Sequence, residues 1–243
     1  MGRFSLLLLL LCGGCDLVFG LDEDPTPCTP ASFEGATAVA ITEADYFTVD
    51  WDQTFAVVSA GGLMWEVPLP QGTPVAIDLG VYVDMSLSLA PEGTALFYTA
   101  AIEPPLLRGA LRTGDATWTL DANAPRGTFA GTPSADSFGP QHVLVRLRPN
   151  DVDIVEYEDV DGVWTERGTH PMPGALAPNL TPNGLVMVYA DGAGVFAATR
   201  ASRDEWFGEP TLILPGPYVQ PQLLGKCQNL FVTDNTTLQR FDR

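Results

Sequence analysis

The stretch APEGTALFYTA, residues 90–100, aligns without gaps to TPNGLVMVYAD, residues 181–191, and this internal repeat decides the fold. The identical residues in the alignment are Pro91 and Pro182, Gly93 and Gly184, and Tyr98 and Tyr189. Their spacing of 91 residues corresponds to two repeats of about 45 residues, a period typical of repeat architectures. In both copies a turn with Pro and Gly precedes a strand that is apolar on both faces, as expected for a strand packed between neighbouring sheets.

The same template occurs three more times, so the chain contains five units. The additional copies are DWDQTFAVVSA (50–60), SADSFGPQHVLVRL (134–147), which fits more loosely, and GKCQNLFVTD (225–234). In several units a cluster of Gly, Asp and Asn follows the strand and predicts a hairpin. These clusters lie in AGGLMWEV (60–67), ADGAGVFAA (190–198) and TDNTTLQRF (233–241).

A tryptophan just after a polar turn is a third recurring feature, at Trp118, Trp164 and Trp206. Each unit therefore has about four strands, with an aromatic residue near its outer edge. The 24 Gly and 21 Pro residues are spread along the chain. No window shows a sustained 3.6-residue apolar period with capping signals, so long helices are not expected.

Short strands in fours, repeated around a ring, are the way in which a β-propeller buries the faces of its sheets. We therefore predict an all-β fold, a β-propeller of five four-stranded blades, or of six if residues 120–139 contain another. A β-sandwich of similar length is the alternative, but it would not need an internal period. The segment 28–40, which ends in ATAVA, is expected to add the outer strand of the last blade and so close the ring.

The stretch PNLTPNGLVMVYADGAGVFAATRASRDEWFGEP, residues 178–210, resembles the TolB-type, WD40-like propeller repeat of bacterial envelope proteins. In that family Ser or Thr before Pro-Asp-Gly leads into an apolar strand, and a charged turn with Trp or Phe follows. Asn183 stands where the family has Asp, and the units at 50, 134 and 225 match the family repeat less well. The resemblance extends from about Phe33 to Arg243. It implies the propeller fold, but little about function, because propellers host many activities.

The beginning of the chain has the layout of a secretory signal: a basic residue, an apolar run at 4–11 and the pair Gly13-Gly14. The apolar run is too short for a transmembrane helix, which needs roughly 20 residues. Gly14 followed by Cys15 resembles the bacterial lipobox, although Cys12 stands where that motif prefers Leu. Cys15 is therefore the predicted lipidation site, and an ordinary secreted protein cleaved nearby is the alternative.

These features divide the chain into a signal peptide (1–14), a lipidated N-terminus with its tether (15–32) and the propeller domain (33–243). A lipidated cysteine carries more than one acyl chain, which is sufficient for stable anchoring. We expect the protein in a bacterial cell envelope, anchored to the outer membrane. The inner membrane is the alternative, because Asp16 resembles a retention signal of some Gram-negative bacteria.

Two cysteines, Cys28 and Cys227, are left after export and lipidation. In an oxidising compartment they are predicted to form a disulfide that ties the start of the folded region to its last unit. The chain-entropy model assigns about 5 kcal/mol to a loop of this length, although strain can remove much of it. Two buried free thiols are the alternative.

The charge excludes some partners. The chain has 12 basic and 30 acidic residues, a net charge of −18, and the loss of Arg3 with the signal peptide makes this −19. Such a surface repels nucleic acid and anionic headgroups. We expect a monomer that meets the membrane through its lipid, with other envelope proteins or glycans as further partners.

No residue is predicted to be catalytic, and no metal or cofactor is expected. The two histidines, His142 and His170, are too few for a His-based cluster, and no C-x-x-C, H-E-x-x-H or G-x-S-x-G motif occurs. The acidic run at 150–162 lacks the glycine of an EF-hand loop and alternates acids with Val and Ile. It predicts a strand with one solvated face and a turn at Asp161-Gly162.

Four acids at blade turns remain as candidates for glycoside chemistry: Asp52, Glu92, Asp136 and Asp191. Some five-bladed propellers are glycosidases with carboxylates in a central funnel, and such a pair must lie within about 10 Å. Aspartates at turns more commonly cap the turn with their own side chains. The sequence therefore favours a non-enzymatic binding or scaffolding propeller. A propeller glycoside hydrolase or lyase is the alternative, and a TolB-like partner of another envelope protein is a third.

Overall fold

The computed structural model describes residues 31–42, 44–80, 83–90, 93–100, 106–122, 143–147, 153–160, 163–172, 174–224, 227–234 and 237–243. These residues form nineteen β-strands and no helix, in five antiparallel sheets. The prediction of an all-β fold is therefore confirmed. Cys15, Cys28, Glu92, Asp136 and His142 lie outside the described residues.

The sheets follow one another along the chain as blades. Blade 1 contains β2 (Tyr46–Val49), β3 (Phe55–Ala60), β4 (Leu63–Pro68) and β5 (Val75–Ile77). Blade 2 contains β6 (Val83–Leu89), β7 (Ala95–Ala100), β8 (Leu106–Gly114) and β9 (Thr117–Leu120). Blade 3 contains β10 (Val143–Leu147), β11 (Asp153–Val160) and β12 (Val163–Pro171). Blade 4 contains β13 (Leu176–Leu180), β14 (Val186–Ala190), β15 (Gly194–Thr199) and β16 (Thr211–Pro215). Blade 5 contains β17 (Val219–Leu224), β18 (Asn229–Thr233), β19 (Thr237–Asp242) and β1 (Ala36–Thr42).

Four blades have four strands, and blade 3 has three described strands. The β-propeller prediction is thus confirmed, whereas the prediction of four strands per blade is met in four sheets. The alternative of a sixth blade within 120–139 falls almost wholly on residues 123–142, outside the described part of the chain.

The first strands of the blades surround the centre of the ring. β2 contacts β6, β13 contacts β17, and β17 contacts β2. In blades 1, 2, 4 and 5 the strand that carries the sequence repeat is the second, and β14 is buried at every residue. A strand in this position is covered on each face by a neighbouring blade, so both faces are apolar, as the repeat predicted.

The aligned glycines are required by the turn before the second strand. Gly93 and Gly184 have φ angles of 68° and 66°, in the left-handed region that favours glycine. A side chain at Gly93 would also lie 3.0 Å from the ring of Phe55 in the preceding blade. In blade 1 the same turn is held by Asp50, which accepts hydrogen bonds from two backbone N–H groups of the turn, at 2.8 Å each.

The hydrophobic core lies between blades. One cluster joins blades 1 and 2 around Tyr98 and Leu96, and a second joins blades 3 and 4 around Ile154 and Met187. A third joins blades 4 and 5 around Leu230, and the fourth joins blades 5 and 1 around Phe231 and Val49. Each blade is therefore stabilised mainly by its neighbours, which makes closure of the ring a condition of stability.

The N-terminal strand closes the ring. β1 pairs antiparallel with β19, so that Ala36 lies opposite Phe241 and Thr42 opposite Thr237. This confirms the prediction that the segment ending in ATAVA completes the last blade. Just before β1, Phe33 is 3% exposed, and its N–H donates to the carbonyl of Ile213 in blade 4 at 3.0 Å.

A glutamine joins the last blade to the first through hydrogen bonds. Gln222 in β17 is buried, and its side chain accepts a hydrogen bond from Val49 N–H at 2.7 Å and donates one to Val49 C=O at 2.8 Å. The side-chain amide of Gln222 thus takes the place of a neighbouring strand on the inner edge of β2. The other edge of β2 pairs with β3 of its own blade. Gln53 makes a second, partly buried contact across this junction, to the side chain of Asn229 at 2.8 Å.

We predict that Gln222→Leu lowers the free energy of unfolding by about 2–4 kcal/mol, because it leaves the N–H and C=O groups of Val49 buried and unsatisfied. Gln53→Ala, at the same junction but partly exposed, should cost less than about 1 kcal/mol. Urea unfolding followed by tryptophan fluorescence measures both. Equal losses in the two variants would contradict the proposed role of Gln222 in closure.

Candidate functional site

A small cavity lies at the centre of the ring. It is lined by the inner strands of four blades: Tyr46 and Phe47 from β2, Leu87 from β6, Ala177, Pro178 and Asn179 from β13, and Gln220, Pro221 and Gln222 from β17. Its volume is ≈ 20 Å³. That is room for about one ordered water molecule.

The wall of the cavity contains two left-handed residues in matching positions. Ala177 and Gln220 have φ angles of 47° and 50°, and each directly precedes a proline. This conformation costs a residue other than glycine about 1–2 kcal/mol. The pairing of β13 and of β17 with the next strand shifts register at these positions. Both strands therefore bulge where they border the cavity.

The Gln220 side chain is held across the rim. Its Oε1 accepts from Phe47 N–H at 3.2 Å, and its Nε2 donates to the carbonyl of Asp45 at 2.9 Å. The described lining thus offers amides, a tyrosine and prolines. Such a surface recognises a ligand by hydrogen bonding and shape, without a charged group.

The structure does not bring the candidate acids together. Asp52 is exposed in the turn between β2 and β3, whereas Asp191 lies in the turn between β14 and β15, at the other end of a different blade. Asp191 caps its own turn by accepting hydrogen bonds from the N–H groups of Ala193 at 2.6 Å and Gly194 at 3.2 Å. Glu92 and Asp136 lie outside the described residues, so their roles stay predictions.

The sequence analysis missed two buried carboxylates between blades. The first is Glu66 in β4, which is 3% exposed and pairs with Arg112 of blade 2 through two side-chain bonds of 2.5 and 3.1 Å. Glu66 also accepts from Trp118 Nε1 at 2.9 Å and from Ala116 N–H at 3.2 Å. Hydrogen bonding to Glu66 raises the pKa of Arg112 above its ordinary value. The recurring tryptophan is thus part of the contact between blades.

The second buried carboxylate, Glu156 in β11, makes the equivalent contact with blade 4. Arg200 directly follows β15 and donates to Glu156 Oε1 at 3.0 Å and to the carbonyl of Gly184 at 2.6 Å. The Arg200 side chain is wholly buried and lies over the ring of Phe207. Both pairs join adjacent blades, and the glutamate precedes its arginine by nearly the same spacing, 46 and 44 residues. That spacing was a signal in the sequence that could have revealed them.

The acidic run is a strand, as predicted, and β11 spans Asp153–Val160. The prediction of one solvated face is wrong at its centre, because Ile154, Val155 and Glu156 are all buried. Arg200 supplies the charge that permits a carboxylate there. Among the described residues no group of three or more His, Cys, Asp or Glu side chains could hold a metal ion.

The repeated tyrosines are core residues. Tyr98 is 0% exposed between blades 1 and 2, and burial raises its pKa to about 12. Tyr189 stacks on Phe196 with ring centroids 5.6 Å apart. Their identity in the repeat therefore reflects packing.

Cys227 is buried at the turn between β17 and β18, in the cluster that also contains Phe33 and Leu230. The predicted partner, Cys28, and the predicted lipidation site, Cys15, lie outside the described residues. Both assignments therefore stay predictions. The described part of the chain contains no helix with the length and hydrophobicity needed to cross a bilayer.

Comparison with known proteins supports the fold. No protein-family model matches the chain, and no curated protein matches it. Among solved structures the chain is similar to TolB from Acinetobacter baumannii, with 12% identity and a TM-score of 0.51, over 86% of this chain and 55% of that one. It is also similar to a gluconolactonase from Xanthomonas campestris, with 16% identity and a TM-score of 0.51, over 80% and 70% of the two chains. A putative TolB from Agrobacterium tumefaciens has 16% identity and a TM-score of 0.49, over 83% and 77%.

These likenesses place the chain in the structural class of β-propellers, and TolB is among its neighbours, as the sequence resemblance implied. The chain spans 55% of the length of the A. baumannii TolB. At identities this low, what is shared is the fold, and the activities of the neighbours are not transferred with it.

His170, one of the two histidines, makes a structural contact between blades 3 and 4. Its ring stacks on Trp206 with centroids 3.1 Å apart and planes inclined by 6°. Burial lowers the pKa of His170 below its ordinary value of 6.5, and the charge of Arg200 lowers it further. The folded protein therefore favours the neutral form of the His170 imidazole.

We predict that this contact makes stability fall on acidification. The unfolded chain binds a proton on His170 at about pH 6.5, whereas the folded protein does so only at lower pH, so the contribution is present above the unfolded pKa and is lost below it. Urea midpoints at about pH 7.5 and about pH 5.5 should differ more in the natural protein than in His170→Phe, which retains the stack on Trp206. An identical pH dependence in both proteins would refute this assignment.

Proposed function

We propose that this protein is a lipid-anchored β-propeller of a bacterial cell envelope that binds other envelope components and has no catalytic activity of its own. The signal-like beginning, Gly14-Cys15 and the TolB-type repeat support the location. A ring that buries its blades against each other supports the role of a rigid binding platform.

One observation carries the non-enzymatic part of the proposal. The two buried carboxylates of the described residues that lie between blades, Glu66 and Glu156, are each neutralised by an arginine of the next blade. A catalytic carboxylate needs access to substrate and a tuned proton affinity, and both are lost when the group is paired and enclosed. These acids therefore serve the contact between blades.

The alternative, a glycoside hydrolase or lyase, requires two carboxylates that converge on one pocket. Asp52 and Asp191 lie at opposite ends of the ring, and the described residues that line the cavity are uncharged. A gluconolactonase shares the fold, but its likeness to this chain brings no residue pair with it. The binding role is thus the better supported of the two.

We also propose the Cys28–Cys227 disulfide. Phe33, five residues after Cys28, packs in the same cluster as Cys227. Five extended residues span at most about 18 Å, a distance that permits a bond between Cys28 and Cys227. A bridge there would tie the closing strand to the last blade and reinforce the ring.

We predict the covalent state from these two assignments. Protein purified from its native envelope should have the mass of residues 15–243 plus acyl groups, and reduction should add two hydrogens. Intact mass spectrometry with and without reductant measures both. An unmodified mass beginning at Asp16 or later would mean a freely secreted propeller, and a mass unchanged by reduction would remove the disulfide.

Two cysteine variants provide a matched control for the anchor. Cys15→Ser should move the protein from the membrane fraction to the soluble fraction, whereas Cys12→Ser should leave it with the membrane, because residue 12 departs with the signal peptide. A Cys15→Ser protein that still fractionates with membranes would rule out the lipid anchor.

We propose the binding surface at the end of the ring where the inner strands begin, beside the cavity. Leu176, the first residue of β13, is 49% exposed and immediately precedes the cavity-lining residues Ala177 and Pro178. A partner protein that covered this leucine would remove its apolar surface from water, which favours association.

We predict that Leu176→Glu abolishes binding by adding charge at this rim. Leu212→Glu is the matched control, because Leu212 is similarly exposed, at 41%, but lies on the outer strand of the same blade. Chemical cross-linking in intact envelopes, followed by mass spectrometry of the adducts, compares the variants. Adducts that survive in Leu176→Glu, or a natural protein that forms none, would contradict the proposal.

A further inference from the structure

We propose that the central cavity binds one hydroxyl-sized group, either water or a hydroxyl of a ligand, between the side chain of Asn179 in blade 4 and the backbone of Leu223 in blade 5. The site follows from hydrogen bonds that recur between the inner strands of successive blades. Binding of water is independent of the proposed function, whereas binding of a ligand hydroxyl rests on it.

The turns after the first strands define matching positions in the blades. In each turn the last residue of the first strand is paired with the residue five positions later: Asp50 with Phe55, Ala90 with Ala95, Thr181 with Val186, and Leu224 with Asn229. Residues of an antiparallel pair alternate in the direction of their N–H and C=O groups. The residue before each paired residue therefore directs these groups away from the second strand of its own blade.

Two positions on each first strand follow from this register. The edge position is the residue just before the turn pair, and its members are Val49, Leu89, Leu180 and Leu223. The bridging position is the residue before that, and its members are Thr48, Ser88, Asn179 and Gln222.

At two junctions the bridging residue of one blade bonds the edge residue of the next. Thr48 Oγ1 accepts a hydrogen bond from Leu89 N–H at 3.0 Å. Gln222 accepts one from Val49 N–H at 2.7 Å and donates one to Val49 C=O at 2.8 Å. The bridging side chain thus satisfies backbone groups on the inner edge of the neighbouring blade.

At the junction of blades 4 and 5 the bridging residue is Asn179 and the edge residue is Leu223. Asparagine is one methylene shorter than the glutamine at position 222. Within the described residues no hydrogen bond joins the side chain of Asn179 to Leu223. Leu223 is 1% exposed, so bulk solvent does not satisfy its edge groups. A buried N–H group costs free energy unless it has a partner.

The second contact between blades 5 and 1 has no counterpart to satisfy at this junction. Gln220 accepts a hydrogen bond from Phe47 N–H, two residues before the edge position. In blade 5 the residue that matches Phe47 is Pro221, which has no N–H. Ala177, which matches Gln220, therefore leaves no donor unsatisfied there, and the edge groups of Leu223 remain.

The cavity lies beside these groups. Its lining includes Asn179 together with Pro221 and Gln222, the two residues that precede Leu223. Its volume of ≈ 20 Å³ suits one water molecule, which needs at least two polar partners. Such a water accepts from Leu223 N–H and donates to Asn179 Oδ1, and so bridges the gap left by the shorter side chain.

The other side of the cavity is within reach of a ligand. Its lining residues Tyr46, Ala177 and Gln220 are partly exposed. A hydroxyl group has nearly the size of water and can both donate and accept, so it can take the place of the water. The site therefore selects neutral hydroxyl groups for this part of a ligand.

Nuclear Overhauser contacts between water and backbone N–H groups test the site in the ¹⁵N-labelled full chain. We expect a contact with water at Leu223 N–H and none at Val49 N–H. Val49 is the internal control, because it is equally buried, at 1% exposure, and is already bonded to Gln222.

Reciprocal variants change the length of the two bridging side chains. Asn179→Gln should bond Leu223 directly, as Gln222 bonds Val49, and lose the water contact at Leu223. Gln222→Asn should gain a water contact at Val49. A natural protein without a water contact at Leu223 would overturn the site, as would a contact that persists in folded Asn179→Gln. The measurement on the natural protein decides the matter even if a variant fails to fold.

Addition of glucose, a neutral probe, distinguishes the two sources of the hydroxyl group. We expect the water contact at Leu223 to be lost as a glucose hydroxyl takes its place. A contact that persists would assign the site to water alone and overturn its use by a sugar ligand. The contact in the free protein does not depend on any partner, so its absence would leave the proposed binding function standing.

Discussion

Burial between blades is the interaction on which the rest of this structure depends. The four hydrophobic clusters each combine side chains of two successive blades. A blade with two apolar faces cannot bury both by itself, so each requires a neighbour on either side. The chain meets this requirement by returning its own N-terminal strand to the last blade and by joining Gln222 to Val49 across the junction.

Ion pairs at two of these contacts fix the position of one blade relative to the next. Glu66–Arg112 and Glu156–Arg200 both join adjacent blades, and both place the arginine near an aromatic ring. A buried ion pair offers little net stability compared with apolar packing, because the desolvation of two charges offsets their attraction. Its value lies in specificity, since a slip of one blade against the next would leave a carboxylate buried without a partner.

The same closure of the ring shapes its centre. Inner strands of four blades meet there with amides, prolines and aromatic side chains, and two residues hold left-handed conformations that a less constrained strand would relax. Rigid rims of this kind present fixed hydrogen-bonding groups at low entropic cost to binding. The cavity is narrow, so a macromolecular partner would contact the rim and the turns around it.

The sequence by itself determined the class of fold. A closed ring of blades was indicated by the repeat at 90–100 and 181–191, by the turn glycines Gly93 and Gly184, and by the segment ATAVA. These features are visible in the sequence because a turn and a strand buried on both faces each require particular residue types within a short stretch. The sequence also predicted that Asp191 caps its own turn, because aspartates at turns commonly do so.

Only the tertiary structure decided which side chains meet. The arginine partners of Glu66 and Glu156 are more than forty residues away, on neighbouring blades, and the acidic run at 150–162 looked like a solvated strand until Arg200 was placed against it. The cavity likewise combines β2, β6, β13 and β17, which no local stretch contains together. Contacts between blades depend on the rotation and register of separate sheets around the ring, and a one-dimensional period specifies that such contacts recur without specifying which residues make them.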